Sequence, residues 1–358
     1  MDWMFELRGG LSKRQTIILG IIGISLFFAL WIILTMGVDP IVRKQILPSP
    51  LKVFTSYKDL IVKNDLIVNT TKSIGLNLSG YVVALLFTLP IGFAIGLFPV
   101  FRGLFQKYVE AIRFVPLTAT LGIFIVWFGV GIPMKTTFMA FGIFIFLLPV
   151  VIQRIDEVNS VYLKTVYTLG ATNWQTIRTV YIPSVMSRIW DDIRILTAIS
   201  WTYIVFIESS ASFGGLGDIL ISGAKRRGRV DKVYALLILI ILIGVFQDKI
   251  FAYMDRKLFP HKYQAKGKYD HNSKDVQESL ISTIFDYCWL AFTWITLGLY
   301  IVFAMDEFFG ILDHINFISY LFADTAWVIH FIFLSILAYK IMGLFNKNKN
   351  KAHGTVSE

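Results

Sequence analysis

Cysteine is nearly missing from this sequence: Cys288 is the only one among 358 residues, so neither an intrachain disulfide nor a cysteine metal cluster can form. Charge is scarce as well, at 16% of residues against roughly 25% in soluble domains. No stretch reads Gly, four residues, Gly, Lys and Ser or Thr, so this chain does not hydrolyse ATP by P-loop chemistry, and any ATP-driven process needs a separate ATPase. His-Glu-x-x-His, Cys-x-x-Cys and Gly-x-Ser-x-Gly are absent too, which removes the common metalloprotease, zinc and serine-hydrolase readings. No catalytic residue, resident metal or cofactor is expected in the chain.

What is present is apolar. Hydrophobic residues make up 56% of the chain and the mean hydropathy is +0.65. A bilayer core of about 30 Å needs about 20 apolar residues per helix, and such stretches recur here, whereas the ten-residue alternation of barrel strands does not. The fold class is therefore all-α, a polytopic helical bundle in a membrane. The formal net charge of +10 lies between apolar spans and reads as topology signal and lipid headgroup contact, not as a nucleic-acid surface.

Eight spans are predicted. Thr16 to Gly37 is the first, bordered by Lys13 and Arg14; it reads as a retained helix because no small-residue cleavage pattern follows. Leu47-Pro48-Ser49-Pro50 then opens a short amphipathic helix over Leu51 to Val68. Ile74 to Val100 follows, its Gly75, Gly80, Gly92 and Gly96 allowing close helix approach, with Pro90 as a kink. Leu117 to Val130 is short, and Thr136 to Ile152 has Pro149 near its end. Gln153 to Arg194 is too polar to span and reads as two short helices joined around Gly170 and Pro183. Ile195 to Ala211 and Val233 to Tyr253 are separated by a turn ending in Gly215-Leu216-Gly217 and by a basic run from Lys225 to Arg229. After a polar linker at 261–282, Ile284 to Met305 and Phe317 to Leu344 precede a polar tail at 346–358. With the N-terminus in the cytoplasm, about 22 Lys and Arg fall inside against about 12 outside, which favours both termini inside.

Four landmarks over residues 40 to 260 now assemble in order: Leu47-Pro48-Ser49-Pro50, the glycine spacing of Ser73 to Gly96, Arg113-Phe114-Val115-Pro116 leading to Trp127-Phe128-Gly129-Val130-Gly131, and Leu169-Gly170-Ala171. Together they resemble the nitrate, sulfonate, taurine and bicarbonate branch of the ABC importer permeases, the inner-membrane components of binding-protein-dependent transport. The resemblance implies a six-helix, type I-like permease core over 73–260, here followed by two additional helices at 283–345.

Lys164 to Trp174, then Ile182-Pro183, is similar to the family's EAA loop, which forms a coupling helix docked on the ATPase. By that resemblance Lys164, Leu169, Gly170, Ala171, Trp174, Ile182 and Pro183 couple to the ATPase; on the residues alone, an interfacial helix-turn-helix fits as well. The motif's Glu and two Ala are replaced by Lys164, Thr165 and Val166, and Ser187 stands where the family has a second proline, so the ATPase contacts differ. Arg113, Trp127, Arg194 and Glu208 are candidates for the translocation path. An acid inside a span is costly, so Glu208 either lines the path, pairs with a neighbouring helix or sits at the outer interface.

The resemblance further implies alternating access driven by ATP and Mg on a partner ATPase subunit, a periplasmic solute-binding protein, a second permease copy, surrounding lipid, residence in a bacterial inner membrane, and a small oxyanion such as nitrate, sulfonate or bicarbonate as cargo. A membrane scaffold or enzyme that retains this fold, with its function in the extra helices, is the alternative. A secondary transporter is disfavoured, because no inverted repeat is visible. In the extra helices His314 and His330 are sixteen residues apart and read as packing residues.

Overall fold

The structure, a computed structural model, describes residues 12–37, 41–210, 214–262, 280–310 and 316–354. Every regular element among these residues is helical. The chain divides into two compact units, Met1–Leu66 with Ile219–Leu239, and Ile67–Asp218 with Ile240–Glu358.

In the first unit, α1 (Lys13–Thr35) opens on a capping box in which Ser12 and Gln15 satisfy each other's backbone N–H groups. Trp31 donates its indole N–H to the Pro48 carbonyl at 3.0 Å, tying α1 to the Pro-Ser-Pro turn. Pro50 starts α2 (Pro50–Lys63), where a missing N–H costs nothing. Its buried Val53, Ser56 and Leu60 fall on one face. Tyr57 on α2 donates to the Ala235 carbonyl at 2.7 Å, and Lys232 donates to Asn64 at 2.8 Å. Arg229 forks onto Asp231 at 3.1 and 2.8 Å. The expected amphipathic helix to Val68 ends earlier: Asp65 takes φ +45°, and a new helix begins at Leu66.

The second unit is built on α3 (Leu66–Leu97), α6 (Ile132–Asp156) and α9 (Ile182–Ser210). Gly80, Gly92 and Gly96 of α3 face Met139, Val151 and Ile155 of α6, and a Cβ on any of them would come within 2.7 Å of those side chains. The constant offset between facing residues means that α3 and α6 run parallel, with small residues at the seam as membrane helix pairs require. Ala84, Leu147, Val185 and Ile189 pack behind this seam into a common apolar cluster. Between α3 and α6 lie α4 (Pro99–Ile112) and α5 (Leu117–Phe128), bent by 109°. Pro116 caps α5 and cannot continue α4, which is why the predicted short span is one half of a broken pair.

Five helices among the described residues are long and apolar enough to cross a membrane, and the α4–α5 pair makes a sixth if it is one span. The eight predicted spans differ from this at α9, whose Arg188, Asp191, Asp192, Arg194 and Glu208 make it less apolar than the others. They also differ at the seventh, Ile284 to Met305, which is not among these helices, whereas the eighth is present as Phe317–Tyr339. Ile284 to Met305 lies in α12 (Leu280–Phe309), and Phe317 to Leu344 is not one helix but α13 (Phe317–Phe322), a 3₁₀ turn and α14 (Ala326–Gly354). After the short α10 (Leu216–Asp218), Val233 to Tyr253 lies within α11 (Val230–Leu258). Most of the predicted linker, the end of the tail, His314 and Phe213 lie outside the described residues.

Candidate functional site

Two clusters of polar residues lie at opposite ends of the second unit. α6 separates them by roughly 36 Å at 1.5 Å per residue.

At the C-terminal end of α6 the chain leaves the bundle. Asn159 caps α7 (Ser160–Thr168) by accepting from Val161 N–H at 2.9 Å. The helix stops in a Schellman motif: Ala171 N–H reaches the Val166 carbonyl at 3.2 Å, Gly170 N–H reaches Tyr167 at 3.0 Å, and Gly170 takes φ +78°. Thr172 and Gln175 form a capping box that starts α8 (Asn173–Thr176). The expected break at Pro183 is absent. α8 instead continues through a π-helical turn, Ile177–Tyr181, into α9, whose second residue is Pro183. Proline offers no N–H to the Thr179 carbonyl and crowds it, so a wider turn keeps the helix continuous.

None of the α7 residues is buried. Leu169 is 82% exposed and Trp174 68%, apolar side chains with no cover of their own. Lys164 is exposed beside them and Ala171 is half-buried. Beneath this tip the helices are pinned by charge. Arg154 on α6 forks onto Asp192 of α9 with two 2.8 Å bonds and donates to Glu157 at 2.7 Å. Arg188 donates to the Glu157 carbonyl at 3.2 Å and to its carboxylate at 3.3 Å. Arg102 of α4 reaches Asp156 at 2.6 Å and the Gly96 carbonyl at 3.2 Å. Lys262 reaches Asp191 at 2.6 Å, and Arg194 forks onto Asp248 of α11 at 3.0 and 3.1 Å. The Arg154 hydrogen bond holds the Glu157 carboxyl below its usual range, against a small opposing effect of burial. Forked guanidinium–carboxylate pairs fix angle as well as distance, so four helices share a stiff base from which α7 and α8 project.

At the other end, Glu208 of α9 is 2% exposed. It accepts from Ser73 Oγ at 2.7 Å and from Gly217 N–H at 2.8 Å. Ser73 in turn accepts from Leu216 N–H at 2.9 Å, and Asn69 accepts from Gly215 N–H at 2.7 Å. A Cβ at Gly215 would lie 2.2 Å from the Glu208 carboxyl carbon, and one at Gly217 would lie 2.5 Å from the Val205 carbonyl. α3 and α9 thus latch the 214–217 turn, and glycine is required because the acid sits against the backbone. Lys135 of α6, also buried, has Glu208 and Asp218 as its electrostatic counterparts.

The four path candidates are not brought together. Arg113 is exposed at the α4–α5 bend, its guanidinium 5.2 Å from the Phe114 ring centre. Trp127 is 70% exposed on α5, against the rings of Phe124 and Phe128. Arg194 belongs to the charged base, and Glu208 to the latch, roughly 21 Å along the same helix. Sequence reading passed over Arg154, Asp192, Ser73, Asn69 and Lys135. Charges near an apolar span end were the available signal for Arg154 and Lys135; nothing local marked Ser73.

Residues 77–260 match the family described as binding-protein-dependent transport system inner membrane component, just over half of the chain. The chain belongs to this family. It is a permease, the membrane-crossing transport subunit of an ABC importer. The taurine transport system permease TauC of Escherichia coli is 29% identical over 177 residues, which are 49% of this chain and 64% of TauC. A Methanocaldococcus jannaschii protein named as an ABC transporter permease is 31% identical over 208 residues, 57% of this chain and 76% of its own length. SsuC of Bacillus subtilis, named for aliphatic sulfonates transport, is 27% identical over 264 residues, 71% of this permease and 91% of SsuC. Family membership carries a partnership with an ATPase and a binding protein, and residence as a multi-pass protein in the inner membrane.

Proposed function

We propose that this permease forms the path for a small organic oxyanion, with a sulfonate as the leading class, and that residues 156–182 are the lever through which an ATPase drives it. The substrate class rests on the names of TauC and SsuC, the lever on the exposed Leu169 and Trp174 at the tip of a charge-pinned base. Closure of an ATPase dimer must become a rigid-body movement of helices. An apolar tip supplies adhesion to the motor, and the Arg154–Asp192 fork keeps the tip from swinging free of α6 and α9. Lys164 presents a cation at the tip, so its counterpart on the ATPase carries an acidic group. ATP and Mg reside on that ATPase. Two permease copies enclose the path, a periplasmic binding protein delivers the solute, and both termini are cytoplasmic, as the Lys and Arg bias favours.

The test is co-purification with a candidate ATPase subunit, and stimulation of its activity in liposomes. Leu169→Asp and Trp174→Ala together are expected to abolish stimulation at unchanged membrane insertion. Full stimulation by the double variant would remove 156–182 from the coupling role.

A further inference from the structure

Beside the α3–α6 seam the second unit carries an open apolar groove. It consists of two cavities, of about 390 and 340 Å³, which meet at Ile91 and Phe144. The first is walled by α4 against Ile95 of α3 and Leu148 of α6, and the second runs on beside α5 to Val83 of α3 and Thr137 of α6. Phe87, Ile91, Phe101 and Phe105 stay exposed along it.

Length and charge decide what fits. From Ile95 to Val83 along α3 is roughly 18 Å at 1.5 Å per residue, and one leaflet of a bilayer core of about 30 Å is about 15 Å thick. The groove is apolar along this whole length, because the Thr137 hydroxyl donates to the Pro133 carbonyl at 2.8 Å. A peptide seated there would leave backbone groups without partners, whereas an acyl chain has none to satisfy.

The bend of 109° lays α4 across one end of the groove while α5 follows it. Phe101, Phe105, Tyr108 and Ile112 recur at helical spacing on the groove side of α4, and Val109 beside them packs with Ile95, Leu148 and Ile152. Lys107 and Arg113 stand on the two flanks of that stripe, each roughly a third of a turn from its centre. The other charges of the helix are taken: Arg102 holds Asp156, and Glu110, opposite the stripe, accepts from Gln106 at 3.0 Å. Lys107 and Arg113 are exposed, and neither joins an ion pair among the described residues. An interfacial helix of this kind turns its apolar face to acyl chains and keeps its cations at the headgroups. Two such cations with the acid turned away complement a phosphate, and offer nothing to the ammonium of a zwitterionic headgroup.

We propose that the groove binds one anionic phospholipid of the surrounding bilayer, with an acyl chain lying along α3 and α6 and its phosphate held by Lys107 and Arg113. The seated lipid braces α4 against the α3–α6 seam.

The full chain is purified in detergent, stripped of lipid and titrated, with native mass spectrometry counting what is retained. The ligands are dioleoyl phosphatidylglycerol, phosphatidylcholine with the same chains, and glycerol 3-phosphate, which carries the anion and no chain. One phosphatidylglycerol per chain is expected, about fivefold or more tighter than phosphatidylcholine, and no glycerol 3-phosphate. Lys107→Gln with Arg113→Gln is expected to erase that preference. Ala94→Trp, which fills the groove without changing charge, is expected to weaken both lipids about fivefold or more. Equal retention of the two lipids, glycerol 3-phosphate bound as well as phosphatidylglycerol, or phosphatidylglycerol retention unmoved by both variants would overturn the proposal. So would a dimer that Ala94→Trp splits with no lipid retained, which gives the groove to a second copy. Both cations are exposed, so the charge variant decides the case alone if Ala94→Trp does not fold.

Discussion

At the α7–α8 end of the larger unit, helices are joined by long charged side chains only partly in water: Arg154 with Asp192 and Glu157, Arg102 with Asp156, Arg194 with Asp248. At the latch end they are joined by short side chains and bare backbone, out of water: Asn69, Ser73 and Glu208 against the N–H groups of Gly215, Leu216 and Gly217. Ion pairs in partly aqueous surroundings each contribute little and are weakened by salt. A buried carboxylate pressed on glycine backbone depends more on each donor, because there is no solvent to replace a lost one. The permease therefore has a salt-sensitive end, held in angle by forked ion pairs, and a solvent-excluded end at the 214–217 turn.

The sharpest way to break this contrast is at Gly215. Gly215→Val places a side chain into the Glu208 carboxyl at a φ of +102°, and no stably folded permease is expected in detergent extracts; a normal yield would show that the latch tolerates distortion. Gly92→Leu is next, since its Cβ would meet Val151 at 2.6 Å, and a large fall in thermal unfolding temperature is expected. Arg154→Ala leaves Asp192, largely covered, without its fork; a loss of about 1–3 kcal/mol is expected in denaturant unfolding, with ATPase coupling reduced more than solute binding. Gly170→Val meets no neighbour, so only its left-handed backbone opposes the change, at roughly 1–2 kcal/mol confined to α7. The smallest effect should come from acid. The Glu157 carboxyl has a depressed pKa in the folded state, so its contribution is complete above the ordinary value of 4.5 and is lost as pH falls through the lower folded value. A pH titration of ATPase coupling should show weakening there in native permease and none in Glu157→Gln.

How much could be read in advance differs between the ends for the same reason. Gly80, Gly92 and Gly96 announced a close seam, since small residues at that spacing have few other uses in a membrane helix, but not that α6 lies on the other side of it. Gly170 announced its turn, because a Schellman motif is made by residues within one stretch. Pro183 misled: the usual rule has proline start a helix, and a π turn upstream absorbed it instead. Glu208 was visible as an acid in an apolar run, while its donors were hidden, Ser73 being 135 residues away. Arg154 and Asp192 are 38 residues apart, and neither has a local pattern that predicts the other. The turn at Ala323 was hidden inside a stretch read as one span, although Asp324 and Thr325 interrupt it.

The parallel seam of α3 and α6 has a consequence for how the two ends communicate. With Met139, Val151 and Ile155 seated directly on glycine backbone, neither helix can slip lengthwise without lifting side chains over peptide planes, so the pair translates as a single plank. Since Thr71 and Gly75, which meet Leu321 and Thr325, belong to that plank, a displacement at its α7–α8 end would arrive at the C-terminal helices at the other end without any relay of rotamers between them.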